Sequence, residues 1–516
     1  MLEKPHSRHA PTNFRTDSGP KDIDSEMTHS GFSLGQLFPG QFPESGERRI
    51  SGVAFDSRKV APGEAFVALA GAKADGARFI ADAVARGAVA VVSGGPRPAD
   101  LPAEIAYAQV VDPRLALSLA AAKVHPRQPG TVVAVTGTSG KSSVAEFTRQ
   151  IFKALGRKAA SVGTIGIVTE AGADYGSLTT PDPLSLHASL DRLAGDGVTH
   201  LAMEASSHGL DQHRLDGVRL AAGAFLNLGR DHLDYHPSVE DYLAAKLRLW
   251  ELLPAGAPVV INRDEPYADK AEATAKAGGH PVIGIGRQGD RLKLLDVVRE
   301  GFSQRLIVEV DGAATEVVLP MVGDYMAGNA LVAAGLAIAT GEDPLASVAA
   351  IAGLKGVPGR LDRVAEHNGG LVVVDYAHKP DALAAVLKTL RPYASGRLIC
   401  VFGCGGDRDR GKRPLMGRIA ADGADIAIVT DDNPRSEEPA AIRAEVLAAA
   451  PERLREIGDR AEAIMAAVTM LQPGDVLVVA GKGHESGQII GDRTLPFSDH
   501  EVVREAIAAL AGGRRG

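Results

Sequence analysis

The sequence predicts an α/β protein of three domains: a small N-terminal α/β domain, a central α/β domain and a C-terminal Rossmann-like domain. Two observations carry this. At 516 residues the chain is too long for a single core. Two long stretches alternate short apolar runs with helical patterns, and Pro/Gly-rich linkers, HPRQPG and GLKGVPGR, precede each of them.

The elements follow in order. Residues 1–47 are polar and rich in Pro, Ser and charge, lack the apolar core of a signal peptide, and are expected to be a disordered leader, with a short helix near GFSLGQLF. Residues 48–127 form the first domain. SGVAFDSR, EAFVALA and FIADAVARGAVAVVS read as short strands with one helix, turns fall at APGE and GAKADG, and a helix spans Pro113–Val124. The central domain, 128–356, opens with TVVAVT, a buried parallel strand by its unbroken apolar run. HLAMEAS, AGAFLNL, the helix VEDYLAAKLRLWELL and PVVIN continue the alternation. Between Leu292 and Pro320 the rhythm shortens to RLIVEVDG and ATEVVLP, which suggests an antiparallel hairpin, and helices resume at Met326–Thr340 and Pro344–Ala352. In the last domain, 357–516, LVVVDYAH, RLICVFG, ADIAIVT and DVLVVAG are four strands with helical segments between them.

Composition narrows the function. A net charge of -8 argues against a nucleic-acid partner, which would need a basic face, but leaves room for a basic cleft around a small anion. No apolar run approaches the ~20 residues that span a bilayer, so no membrane partner and a cytoplasmic location are expected. The two cysteines, Cys400 and Cys404, are poorly spaced for zinc and read as buried or loop thiols.

VTGTSGKSS, Val135–Ser143, looks like a phosphate loop of the wrong gauge. The Walker pattern wants a glycine at position 135, where this chain has valine. The physical requirements are nevertheless met: a strand, a turn eased by Gly137 and Gly140, a helix N-terminus, the cation Lys141, and Ser142 to ligate Mg²⁺. A strand–helix turn with capping serines would look similar.

Other strings decide between them. In order the chain carries GTSGKSS (137–143), LTTPDP (178–183), MEASSHGLDQHR (203–214), NLGRDHLDYH (227–236), DYLAAK (241–246), VPGRLDR (357–363), DYAHKPDAL (375–383), FGCGGDRDRGKRP (402–414), DDNPR (431–435) and GKGHE (481–485). From about Ser51 to Asp499 these closely resemble the Mur ligases, ATP-dependent enzymes that add amino acids to the peptidoglycan precursor. The last three strings resemble those members that add the third residue, meso-diaminopimelate. In that family the loop is GT-x-GK-[ST], a shorter gauge, and the middle domain is P-loop ATPase-like.

The resemblance implies a set of roles. ATP would be held by Gly137, Thr138, Ser139, Gly140, Lys141, Ser142, Ser143 and Asn329, with Arg360 and His378 meeting the nucleotide from the C-terminal domain. Lys141, Glu204, His232 and Lys246 would be catalytic. Ser142 and Glu204 would ligate Mg²⁺, His232 a second Mg²⁺, and Lys246 would join them as a carbamate, since a bare ammonium repels a cation. His208, His232 and His236 form a polar group that a core rarely needs. UDP-MurNAc-L-Ala-D-Glu would span the first two domains, touching Ser57 at the uridine and Thr179, Thr180, Ser206, Gln212 and Arg214 beyond it. Diaminopimelate would meet Arg408, Asp432, Asn433, Pro434, Arg435, Gly481 and Glu485, with Arg435 pairing the distal carboxylate and Glu485 the distal ammonium. A monomer is implied.

The chain departs from the family pattern in two places. Ser139, Ser142 and Ser143 stand where relatives have asparagine and threonines, and Met326 replaces an asparagine that contacts adenine, while Asn329 matches. A folylpolyglutamate synthase, a lysine-adding ligase and a non-catalytic nucleotide-binding scaffold are the rival readings. DNPR and the set Lys141, Glu204, His232 and Lys246 speak against them.

Overall fold

The structure, a computed structural model, describes residues 31–71, 75–174, 178–229 and 235–512. The chain divides into two compact units, one up to Val124 and the other from His125.

In the first unit, strand Phe32–Ser33 pairs antiparallel with Arg49–Ile50. The four-residue helix Leu34–Leu37 between them is closed by a capping box, in which Ser33 and Gln36 exchange side chain-to-backbone hydrogen bonds. Leu34, Leu37, Phe38 and Phe42 are buried. The stretch 31–47, assigned above to the leader, is therefore folded. Four apolar side chains anchor it despite its polar composition, and only residues 1–30 of that leader lie outside the described residues. Next comes a parallel sheet, in the order Val53–Ala54, Ala65–Ala68, Ala90–Ser93, Ala106–Gln109, followed by helix Pro113–Val124.

Within the second unit the described residues form an eleven-stranded sheet. Its parallel core places the loop strand Thr131–Thr136 between His200–Glu204 and Ala222–Phe225. From that strand the chain first winds to Ala159–Gly163 on one side and later to Ala222–Phe225 on the other. The crevice beyond the loop strand's C-terminal end is thus a topological switch point, where α/β sheets place ligands. Antiparallel strands extend both edges. Gly166–Thr169 and Gly172–Asp174 lie at one; at the other Leu292–Glu300 joins Val282–Gly286 in parallel and then pairs antiparallel with Ser303–Val310, which pairs antiparallel with Ala313–Leu319. The hairpin expected between Leu292 and Pro320 is therefore a three-stranded meander. Its exposed edges show weak hydrophobic alternation, and left-handed turns at Gly301 and at Asp311–Gly312 set its length.

The C-terminal sheet has six described strands, in the order Asp362–His367, Gly370–Asp375, Val476–Ala480, Leu398–Phe402, Ile426–Val429, Leu454–Glu456. All but the first pairing are parallel. Parallel pairing has a functional consequence. DYAH, FGCGG, DDNPR and GKGHE each follow the C-terminal end of one of these strands, so they emerge at the same sheet edge. Cys400 and Cys404 are buried there, and burial pushes both thiols up to about 12.

Two tethers hold the functional edges. Gln150, on the helix Lys141–Ala154 that follows the phosphate loop, accepts the Lys355 N–H (2.8 Å) and donates to the Lys355 carbonyl (3.1 Å), joining that helix to the domain linker. Beside the C-terminal sheet, Arg460 and Asp499, the first residues of helices Arg460–Thr469 and Asp499–Gly512, form a fully buried pair with bonds of 2.7 and 2.8 Å. The same guanidinium donates to the carbonyls of Ala480 (3.0 Å) and Asp431 (3.4 Å), the roots of GKGHE and DDNPR.

Removing one partner of such a pair strands a buried charge. Asp499→Ala is expected to lower unfolding free energy by about 3–5 kcal/mol in chemical denaturation, and Asp499→Asn by less.

Candidate active site

The phosphate loop is shaped by close approach. Gly137 and Gly140 have φ of 157° and 87°. A Cβ at Gly137 would stand 2.8 Å from the Leu226 Cβ, and one at Gly140 would stand 2.7 Å from Asn329 Oδ1. Asn227, at the end of the neighbouring strand, fastens the loop. Its Oδ1 accepts the N–H groups of Thr138 (3.1 Å) and Ser139 (3.0 Å). The first-turn N–H groups of helix Lys141–Ala154 have no partner inside the helix and open into the same crevice as the loop. Lys141 folds back, donating to the carbonyls of Gly137 (2.8 Å) and Thr138 (2.9 Å).

Glu204 ends its strand level with Val135 and is buried. Thr164 orients its carboxylate, the N–H donating to Oε1 (2.7 Å) and the hydroxyl to Oε2 (3.2 Å). Ser142, Thr164, Thr179 and Glu204 line one cavity of about 1160 Å³, a hard-oxygen donor set that suits Mg²⁺. Lys246 is 1% exposed, donates to the Gly137 carbonyl (2.8 Å) and lies 4.3 Å over the Tyr242 ring. The Tyr242 hydroxyl in turn meets Thr138 Oγ1 at 3.1 Å. His208, Tyr235, His236 and Tyr242 form a row of tilted and edge-on ring contacts toward this point, with centroids 4.0, 4.8 and 5.0 Å apart. His232 lies outside the described residues. Among those described, no group of three or more His, Cys, Asp or Glu side chains could hold a metal.

The cavity continues past Asn329 to Arg360 and Asp375. Asn329 is buried and its Nδ2 has no hydrogen-bond partner among the described residues, so a donor waits there. Met326 is also buried on the cavity wall and offers no polar atom but sulfur. Arg360 sits 5.2 Å over the Tyr376 ring. Burial raises the Asp375 carboxyl although the N–H groups of Leu361 and Ala377 bond to it. His378 does not line the cavity. Its Nδ1 donates to the Tyr376 carbonyl (2.8 Å), and burial lowers its pKa, keeping the ring neutral.

Thr179, Thr180, Ser206, Gln212 and Arg214 are brought together beside Glu204. Thr179 meets Thr164 (3.0 Å), and Thr180 donates to the Glu204 carbonyl (3.0 Å). The Ser206 N–H donates to Thr180 (3.1 Å), while Arg214 donates to the Thr180 carbonyl (2.7 Å) and to Gln212 Oε1 (2.7 Å). Ser57 belongs to the first unit, where it opens a short 3₁₀ turn capped by Asp56.

At the C-terminal sheet edge, Asp432, Asn433 and Pro434 are buried, and Arg435 takes a left-handed φ of 52°. The Arg435 guanidinium donates to the Gly406 carbonyl (2.9 Å). A Cβ on Gly405 would lie 2.8 Å from Arg435 Nη1 and 4.0 Å from Arg408 Cγ, so the two arginines flank one loop. Gly481 faces Asp432 Oδ2, 2.8 Å from where its Cβ would be. Asn433 Nδ2 donates to Glu485 Oε2 (3.0 Å).

Sequence reasoning did not single out Asn227, Thr164, Asp375 or Lys482. Each lies in or beside a quoted motif except Thr164, but each has a partner distant in sequence, Thr138 for Asn227, Glu204 for Thr164, Leu361 for Asp375 and Asn433 for Lys482, which local spacing does not reveal.

The fold and this crevice define a nucleotide-dependent α/β enzyme of three domains, and the chain belongs to the Mur ligase family. Residues 49–125 match the Mur ligase family catalytic domain, 135–337 the Mur ligase middle domain, and 359–483 the Mur ligase glutamate ligase domain. The chain is similar to UDP-N-acetylmuramoyl-L-alanyl-D-glutamate–2,6-diaminopimelate ligases. That of Agrobacterium fabrum is 56% identical over 487 residues, covering 94% of this chain and 99% of that protein. That of Bradyrhizobium diazoefficiens is 58% identical over 465 residues, covering 89% and 95%. A solved structure of such a ligase superposes with a TM-score of 0.71 at 34% identity, covering 93% of this chain and 99% of that one.

Asn227→Ala would remove the side-chain bonds to Thr138 and Ser139 and leave the loop held to the adjacent segment by backbone bonds alone. Its KM for ATP should rise about tenfold in steady-state assays, while far-ultraviolet circular dichroism stays that of the parent.

Proposed function

We propose that the chain is an ATP- and Mg²⁺-dependent ligase joining meso-diaminopimelate to the D-glutamyl carboxylate of UDP-MurNAc-L-Ala-D-Glu, in the cytoplasm and as a monomer. The observation that carries this reading is a carboxylate and a guanidinium, Glu485 and Arg435, held at one sheet edge of a chain that also owns a phosphate loop. The names of relatives more than half identical to it agree.

A carboxylate is a poor electrophile because its charge repels an amine. Transfer of the ATP γ-phosphoryl group to the glutamyl oxygen, with ADP leaving, gives an acyl phosphate. The amine then attacks the acyl carbon, and phosphate departs from the tetrahedral adduct as the nitrogen loses a proton. Phosphoryl transfer needs chiefly positioning and neutralised charge. Lys141 is the cation for the β- and γ-phosphates once it leaves its resting carbonyls. The loop Gly137–Ser143 would surround them with the first-turn N–H groups of helix Lys141–Ala154 facing them, Asn329 would contact the nucleotide, Arg360 would approach it from the C-terminal domain, and His378, which does not line the cavity here, would meet it when that domain closes.

Mg²⁺, when bound, would offset the triphosphate charge. Ser142 and Glu204 would hold it, with His232 for a second ion. Lys246 enters this group only as a carbamate, since its ammonium would repel a cation; the oxygen-rich cavity nearby and its complete burial support that modification. Ser57, Thr179, Thr180, Ser206, Gln212 and Arg214 would hold the UDP-linked substrate. Arg435 would pair with the distal carboxylate of diaminopimelate and Glu485 with its distal ammonium. Arg408, Asp432, Asn433, Pro434 and Gly481 would complete that pocket. A lysine side chain would leave Arg435 unpaired, which disfavours a lysine-adding enzyme.

Incubation with ATP, Mg²⁺ and UDP-MurNAc-L-Ala-D-Glu should yield tripeptide with meso-diaminopimelate and not with L-lysine. Phosphate release with neither amino acid would favour the scaffold reading. Lys141→Ala should lower kcat/KM about 10³-fold, and tripeptide formed at the parent's rate would refute the mechanism. Arg435→Ala should raise the KM for diaminopimelate about 10–100-fold while leaving that for ATP unchanged.

A further inference from the structure

Lys482 is a buried charged group that the mechanism above does not use. Its side chain is fully enclosed, yet it carries an ammonium. A lysine is almost never enclosed unless its charge is paired. Here Nζ donates to Asn433 Oδ1 (3.0 Å) and to Glu485 Oε2 (3.1 Å).

These bonds decide the orientation of the Asn433 amide. Its Oδ1 accepts from Lys482 Nζ and from the Ile489 N–H (2.9 Å), while Nδ2 donates to Glu485 Oε2 (3.0 Å). Turned over, the amide would set donor against donor at two positions and oxygen against carboxylate at the third. Glu485 Oε2 thus takes two donors, one of them charged, and Oε1 is left with no hydrogen-bond partner among the described residues. Lys482 also offsets one negative charge in a pocket that otherwise sets Glu485 and Asp432 against Arg435 and Arg408.

We propose that Lys482 is a specificity-determining positioning residue of the amino-acid site: its enclosed ammonium locks Asn433 and one oxygen of Glu485, reserving the other oxygen for the distal ammonium of a substrate that also carries a carboxylate for Arg435. This rests on the pocket reading given under Proposed function. With Lys482 present, Glu485 is half-neutralised and accepts an ammonium only along the Oε1 direction, where the accompanying carboxylate reaches Arg435. With Lys482 replaced by a neutral side chain, Glu485 keeps only the Asn433 bond and the pocket is one charge more negative, so a bare ammonium such as that of lysine is penalised less.

The test is Lys482→Met, which keeps length and removes charge. The KM for meso-diaminopimelate should rise about 10–100-fold, and the diaminopimelate-to-lysine ratio of kcat/KM should fall about tenfold. The KM values for ATP and for UDP-MurNAc-L-Ala-D-Glu should stay within about twofold of the parent, which a general loss of structure would not allow. An unchanged KM for diaminopimelate, or equal rises for all three substrates, overturns the proposal. Glu485→Gln in the parent separates the two layers: if it leaves the diaminopimelate KM unmoved, the pocket reading itself fails. Should Lys482→Met not fold, Lys482→Met/Glu485→Gln removes the stranded carboxylate. Its diaminopimelate KM should then lie within about threefold of Glu485→Gln alone, and a further tenfold rise overturns the role assigned to Lys482.

Discussion

The site depends on one contact, the pressing of the phosphate loop against the end of strand Ala222–Phe225. Gly137 allows the approach to Leu226, and Asn227 replaces a missing strand partner by accepting two loop N–H groups. With the loop pinned on this side, the helix N-terminus behind it points into the cavity shared with Glu204, Asn329 and Arg360. The shorter gauge of the loop is therefore consistent with its chemistry: an amide from the next strand supplies restraint that a longer loop would need from its own residues.

The C-terminal domain applies the same rule at its own sheet edge. Parallel strands deliver four polar motifs to one edge, and buried charges beneath them keep the motifs in register. Arg460 ties two strand ends by their carbonyls, while Lys482 ties two side chains. Burying a cation is costly unless every donor is used. These two are enclosed where a shift of the backbone would displace the DDNPR and GKGHE motifs.

Much of this was legible in the chain itself. The ranges Pro113–Val124 and Thr131–Thr136 were readable to the residue, because a proline starts one and an unbroken apolar run marks the other. The added edge strands were harder. Exposed on one side and short, Gly166–Thr169 and Gly172–Asp174 carry little apolar signal. The segment 31–47 misled by composition, since four apolar residues among many polar ones suffice to anchor it. At the site, residues with conspicuous chemistry, such as Lys141, Glu204 and Arg435, stood out within their motifs. Asn227 and Lys482 did not, because their roles depend on partners distant in sequence, Thr138 and Ser139 for the one and Asn433 for the other.

The two cysteines sit under this edge with their thiols held in the protonated form far above neutral pH. Thiolate is the species that electrophiles and oxidants attack. A folded molecule therefore offers such reagents almost nothing, whereas an opened chain exposes both sulfurs at once. Alkylation would register only those copies that have lost the C-terminal sheet, which makes the pair an intrinsic gauge of unfolding in a mixture.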